Sequence, residues 1–165
     1  MGMDVYGEAA TSEVGEYFRN NVWWWRPLAD YILRTHPDLA SSCTEWHSNS
    51  GDGLNAAESI ALADALDADL ASGAVDAYSA AYAAEVAALP REACNLCNST
   101  GLRTDEIGVA HGYDKPRDPV TKRGGCNGCA GVGTREPWAA SYPFSTDNVR
   151  EFVMFLRASG GFKIL

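Results

Sequence analysis

Basic side chains are scarce in the first 93 residues, which hold four Lys or Arg against 15 Asp or Glu, a net −11; residues 94–165 hold nine against seven, net +2. An acidic first half repels phosphate backbones, so broad nucleic-acid binding through it is not expected, and only the later part is suited to meet polyanions. No stretch approaches the run of about 20 apolar residues that a membrane span requires. No charged segment leads into an apolar one as in a signal peptide, so a cytoplasmic location without membrane contact is expected. The Met1-Gly2 start carries Tyr6 where myristoylation needs Ser or Thr. There is no His-Glu-x-x-His pattern, phosphate-binding loop or nucleophile elbow. Cysteine is limited to five residues, and their spacing is the most informative feature of the chain.

Four of the five form two pairs, Cys94-Asn-Leu-Cys97 and Cys126-Asn-Gly-Cys129. Two Cys-x-x-Cys elements are what a tetrahedral structural zinc site uses, because each tight turn aims both sulfurs at one point. A closed four-sulfur site leaves no position for water, so one Zn2+ held by Cys94, Cys97, Cys126 and Cys129 would be structural. Disulfides would suit a secreted protein, and a redox pair would need a βαβ context that the pattern does not show. Cys43 is left over and reads as a small buried hydrophobe.

The second pair continues as Cys126-Asn-Gly-Cys129-Ala-Gly131-Val-Gly133, a full CxxCxGxG, and the first as Cys94-Asn-Leu-Cys97-Asn-Ser99-Thr-Gly101. Gly101-Leu-Arg103 is matched by Gly133-Thr-Arg135, which makes an internal repeat. Over about residues 94–135 the chain resembles the cysteine-rich zinc domain of DnaJ-type co-chaperones, whose four repeats hold two zinc ions; two repeats imply one. His36-Pro37-Asp38 is also the signature tripeptide of the J-domain. Here the preceding helix is not strongly basic and no helical stripe follows, so it reads as a helix stop at Pro37.

Along the chain, residues 3–6 alternate as a strand, and residues 11–22 suggest a loop with a helical turn placing Tyr17 and Phe18 inward. Pro27 suggests the first position of a helix over about 27–35 that buries Leu28, Tyr31 and Ile32. Residues 41–53 are polar and loop-like. Asn55 and Glu58 form a capping box for a helix to about 71; Gly73 breaks it, and a second helix over 74–89 carries Val75, Tyr78, Tyr82, Val86 and Leu89. Fifteen alanines between 56 and 88 would let these two helices pack as a close hairpin. The segment 102–125 reads as a long surface loop with His111, Tyr113, Lys115, Arg117, Lys122 and Arg123. Ser145 and Thr146 start a last helix to about 158, Gly160 ends it, and Phe162–Leu165 is a strand able to pair with the first.

The fold class is therefore α+β, mainly helical, with a small terminal sheet and a zinc-ribbon-like module of two Cys-x-x-Cys knuckles. Residues 1–93 form a helical body with the Trp-rich segment, 94–135 the zinc module, and 136–165 a helix and strand that pack back on the body, in one folding unit. Calcium is excluded at Asp52-Gly53, because Ser48 and Ser59 would fall at the first and last ligand positions.

Trp23-Trp24-Trp25-Arg26 is the densest aromatic cluster, and three adjacent indoles cannot all face one core. Exposed members could stack a planar ligand, with Arg19, Asn20 and Arg26 nearby and His47 and Asp52 lining a pocket. The opening Met1–Gly7, the Tyr17–Pro27 run and the closing Asn148-Val-Arg-Glu-Phe152 resemble a family of small uncharacterised proteins of bacteria and phages. That resemblance implies no activity; a phage origin would suit counter-defence. These residues suggest a zinc-stabilised, non-catalytic binding protein that sequesters a nucleotide-type signal or a host protein. A co-chaperone-like adaptor using the zinc module is the alternative, and a small hydrolase built on Glu45, His47 and Asp52 a further one.

Overall fold

The computed structural model describes residues 2–165, so Met1 of the opening motif lies outside the described residues. The chain is α+β and divides into two compact units, one comprising residues up to Glu85 together with Ser141–Leu165 and the other Val86–Ala140.

In the first unit a four-stranded antiparallel sheet has the order β2-β1-β6-β3, from β1 (Gly2–Gly7), β2 (Tyr17–Asn21), β3 (Gly53–Asn55) and β6 (Gly161–Ile164). Opposite ends of the sequence meet where Val5 pairs with Ile164 and Gly7 with Phe162, as the two terminal hydrophobic runs suggest. Alternation puts Met3, Val5, Phe18, Phe162 and Ile164 on the buried face. The expected loop over 11–22 is instead a short helix α1 (Glu13–Glu16) followed by strand β2. Because neighbours on a strand face opposite ways, only Phe18 points into the core. Tyr17 is exposed, stacks on Tyr6 at 4.8 Å and donates its hydroxyl hydrogen bond to Asp4.

Helix α2 (Val22–Thr35) starts a turn and a half earlier than Pro27 suggests, because the Asn21 side chain accepts hydrogen bonds from the Trp23 and Trp24 amides. Leu28, Tyr31 and Ile32 are buried as expected. Pro37 opens α3 (Pro37–Ala40) directly after α2 stops. The Asn55–Glu58 capping box is present at the head of α4 (Ala56–Ser72), and left-handed Gly73 terminates it. Helix α7 (Thr146–Ser159) is capped by Ser145.

The hairpin expected of α4 and α5 (Ala74–Ala87) does not form. The buried face of α4, with Ser59, Leu62, Ala63 and Leu66, packs instead against α7, whose Val149, Phe152, Val153 and Leu156 are buried. Alanine offers little area to a partner, so the large side chains of α7 win the contact. Helix α5 buries only Val75 and packs Tyr78 and Tyr82 around Phe144, with Tyr78 also on Tyr31.

The second unit contains the two-residue strands β4 (Glu92–Ala93) and β5 (Thr134–Arg135), paired antiparallel, and α6 (Glu106–Ala110). Helix α6 interrupts what the sequence suggests is one long loop. Asp105 caps it through the Gly108 amide at 2.7 Å. Within this unit the buried hydrophobic side chains are Cys94, Cys97, Cys126 and Cys129 alone, among the described residues.

Candidate functional site

The two Cys-x-x-Cys turns bring their four sulfurs within 4.8 Å of one another. Across the repeats, the Cys94 and Cys126 sulfurs are 3.9 Å apart and the Cys97 and Cys129 sulfurs 3.7 Å apart. Sulfurs about 2.3 Å from a tetrahedral zinc would be about 3.8 Å apart, so the cluster has the dimensions of a metal site. It is far too wide for a disulfide, and all five cysteines are free. The donor set could coordinate one metal ion such as zinc. His111 is not in the cluster.

The backbone repeats as the sequence does. Asn98 and Ala130, Ser99 and Gly131, and Gly101 and Gly133 all have positive φ in matching pairs. The Ser99 and Gly131 amides donate to the Cys94 and Cys126 carbonyls, and Thr100 and Val132 to Cys97 and Cys129. The halves are then crossed: the Cys94 amide donates to the Gly133 carbonyl at 2.9 Å and the Cys126 amide to the Gly101 carbonyl at 2.8 Å. A Cβ at Gly101 would lie 2.4 Å from the Gly131 oxygen, and one at Gly133 2.4 Å from the Ser99 oxygen. Glycine at these two positions is what lets the knuckles close on each other.

Burial raises the Cys129 thiol, but the Gly133 amide, 3.2 Å from its sulfur, and the other sulfurs outweigh this and hold it down at about 7. Burial pushes Cys126 up to about 11, and the neighbouring sulfurs add to the rise. The site thus already contains one thiol inclined to ionise, the form that binds metal.

The residues proposed for ligand binding do not gather in one place. Trp25 is fully buried; it stacks on Trp46 at 6.0 Å and donates its indole N–H to the Trp46 carbonyl at 2.6 Å. Trp23 is half-buried against Tyr142 at 4.9 Å, and the Arg26 guanidinium lies 5.9 Å from the same ring. Trp24 is 38% exposed and, with Arg19 and Asn20, lines a groove of about 490 Å³ whose other walls include Asp147, Asn148 and Glu151. Asn20 is itself buried and donates to the Asn148 side chain at 2.8 Å, while Asn148 donates to the Trp24 carbonyl.

His47 pairs with Asp30 at 3.0 Å, and Asp52 closes a turn by accepting from the Thr44 and Glu45 amides at 2.7 and 3.0 Å. The pocket expected of His47 and Asp52 is thus replaced by a surface contact between His47 and Asp30 and by a turn cap, while the neighbouring Trp46 is a core indole. Cys43 is buried, and that burial, with Asp52 nearby, pushes its thiol up to about 12.

Sequence reasoning missed Asp69, whose carboxylate accepts from the Tyr31 hydroxyl at 2.6 Å and meets His36 Nε2 at 2.7 Å. His36 is thereby tied to α4. A histidine one residue beyond the C-terminus of α2, five residues past Tyr31, in a chain whose next long helix carries Asp64, Asp67 and Asp69, was the available signal.

Fold and site together define an α+β protein carrying a buried four-cysteine site able to hold a metal ion. Compared with protein-family models, curated proteins and solved structures, the chain matches none. Among the described residues no helix is long and apolar enough to cross a membrane.

Proposed function

We propose that this chain is a zinc-stabilised, non-catalytic binding protein, with one Zn2+ held by Cys94, Cys97, Cys126 and Cys129 in a structural role. The observation that carries this reading is that the Val86–Ala140 unit buries no hydrophobic side chain except those four cysteines. A unit with no apolar core of its own needs a metal cross-link to be ordered. All four donors are thiols, so a tetrahedral ion would have no open position for a substrate or activated water. The repeat, crossed at the Cys94 and Cys126 amides, supports the likeness to DnaJ-type zinc knuckles.

The ligand we favour is a small nucleotide-type anion, a host-derived signal if the chain is phage-encoded. Calorimetry of the zinc-loaded chain against adenine and guanine nucleotides tests this. Saturable heat with recovery of unaltered nucleotide is expected; no heat with any of them, or conversion of the nucleotide, would contradict it.

A further inference from the structure

The cations of the Val86–Ala140 unit fall into two groups. Arg91 pairs with Glu136, Arg103 with Asp105 and Arg135 with Glu92. Among the described residues no carboxylate pairs with Lys115, Arg117, Lys122 or Arg123, and these four line one groove of about 930 Å³. The one carboxylate on that groove is Asp118, and it is already engaged. Its Oδ1 accepts from the Thr121 and Val120 amides at 2.8 and 2.7 Å, and those bonds, Thr121 first, hold its carboxyl below the usual range.

This groove is built by the backbone. The Asp118 amide donates to the Arg123 carbonyl at 2.8 Å and the Lys122 amide to the Asp118 carbonyl at 3.0 Å. The Gly125 amide closes the base on the Lys115 carbonyl at 2.6 Å. A Cβ at Gly124 would lie 2.5 Å from the Pro116 oxygen, so the close approach that gathers the cations depends on glycine there. His111 and Tyr113 line the same groove with their rings stacked at 5.7 Å and 24°.

The four cations are exposed, so water keeps their mutual repulsion weak, but an arriving anion relieves it, and unpaired Arg and Lys beside aromatic faces suit a phosphate ester attached to a planar ring. The geometry points to this groove as the binding site for a compact nucleoside polyphosphate, with Lys115, Arg117, Lys122 and Arg123 on the phosphates and Tyr113 or His111 against the base. The proposal rests on the nucleotide-binding reading above and moves the site from the tryptophans to the metal unit. The Trp24 groove offers one cation, Arg19, beside Asp147 and Glu151, an unfavourable balance for phosphate. A compact anion is favoured over an extended one because residues outside 86–140 carry 16 acidic and six basic side chains, net −10, which repels a long polyanion more strongly.

The test is calorimetry of the zinc-loaded full chain with ATP, GTP, inorganic tripolyphosphate and a single-stranded oligothymidylate. The variants are Lys122→Ala with Arg123→Ala, Tyr113→Leu and Arg19→Ala, each checked for unchanged metal content and melting. The site predicts at least about a tenfold weaker Kd for ATP or GTP on removing the cation pair. It also predicts a smaller loss with Tyr113→Leu that spares tripolyphosphate, no change with Arg19→Ala, and affinity falling with salt. If nucleotides bind but only Arg19→Ala weakens them, this site is wrong while the nucleotide reading stands. If no nucleotide binds, both fail. If tripolyphosphate binds as tightly as ATP, or the oligonucleotide more tightly, the base contact and the compact-anion assignment are overturned.

Discussion

Three successive tryptophans meet three different environments, and helical geometry is the reason. At about 100° per residue, Trp25 turns into the core, Trp23 lies along Tyr142 and Trp24 faces solvent. Trp25 also contacts Phe18 and Phe152, and its N–H is satisfied inside the core. Trp25→Ala should therefore destabilise the protein by about 3–5 kcal/mol, whereas Trp24→Ala should stay within about 0.5 kcal/mol. Chemical denaturation followed by far-UV circular dichroism compares the two, and equal losses would mean that the helix is rotated from its described position. That at least one indole is exposed is legible in the sequence. Which one is not, because it depends on where the helix starts, and the start is set by the Asn21 cap rather than by Pro27.

At the scale of elements, carboxylates hold the connection between α3 and α4. Asp52 caps the turn at Thr44 and Glu45, and Glu58 binds Ser42 at 2.5 Å as well as the Asn55 amide at 2.9 Å. Burial is the largest single influence on Asp52 and pushes it up, but the hydrogen bonds from the Thr44, Gly53 and Glu45 amides together outweigh it and lower the carboxyl, and the Ser42 hydroxyl with the Asn55 amide lowers Glu58. Both groups are thus depressed in the folded state, so the stability they add is present above about pH 4, their ordinary range, and is lost as pH falls through the lower folded values. Both are largely solvated, which keeps the effect small. Thermal melts from pH 6 to about pH 3 should show a fall that Asp52→Asn makes shallower; an unchanged slope would remove Asp52 from the account. The Asn55–Glu58 box and the Ser145 cap are readable in sequence because capping is local. The α4–α7 contact is not, since alanine-rich periodicity names a face without naming what covers it.

For the whole molecule, two kinds of order coexist. The unit formed by residues up to Glu85 and Ser141–Leu165 is stabilised by an aromatic core with Trp25, Trp46, Phe152, Phe155 and Phe162. The Val86–Ala140 unit is organised about four sulfurs. The pairing of the terminal strands and the cysteine cluster both follow from patterns visible in the chain, one from alternation and the other from Cys-x-x-Cys spacing. The cations of 102–125 are equally visible as residues, but their convergence depends on the Asp118 turn and the glycine pair at 124–125, which only the folded backbone displays. X-ray absorption at the zinc edge of the purified chain is the most direct measurement of the central claim. One zinc per chain with four sulfurs at about 2.3 Å is expected; no bound zinc, or a shell containing nitrogen or oxygen ligands in place of sulfur, would contradict it.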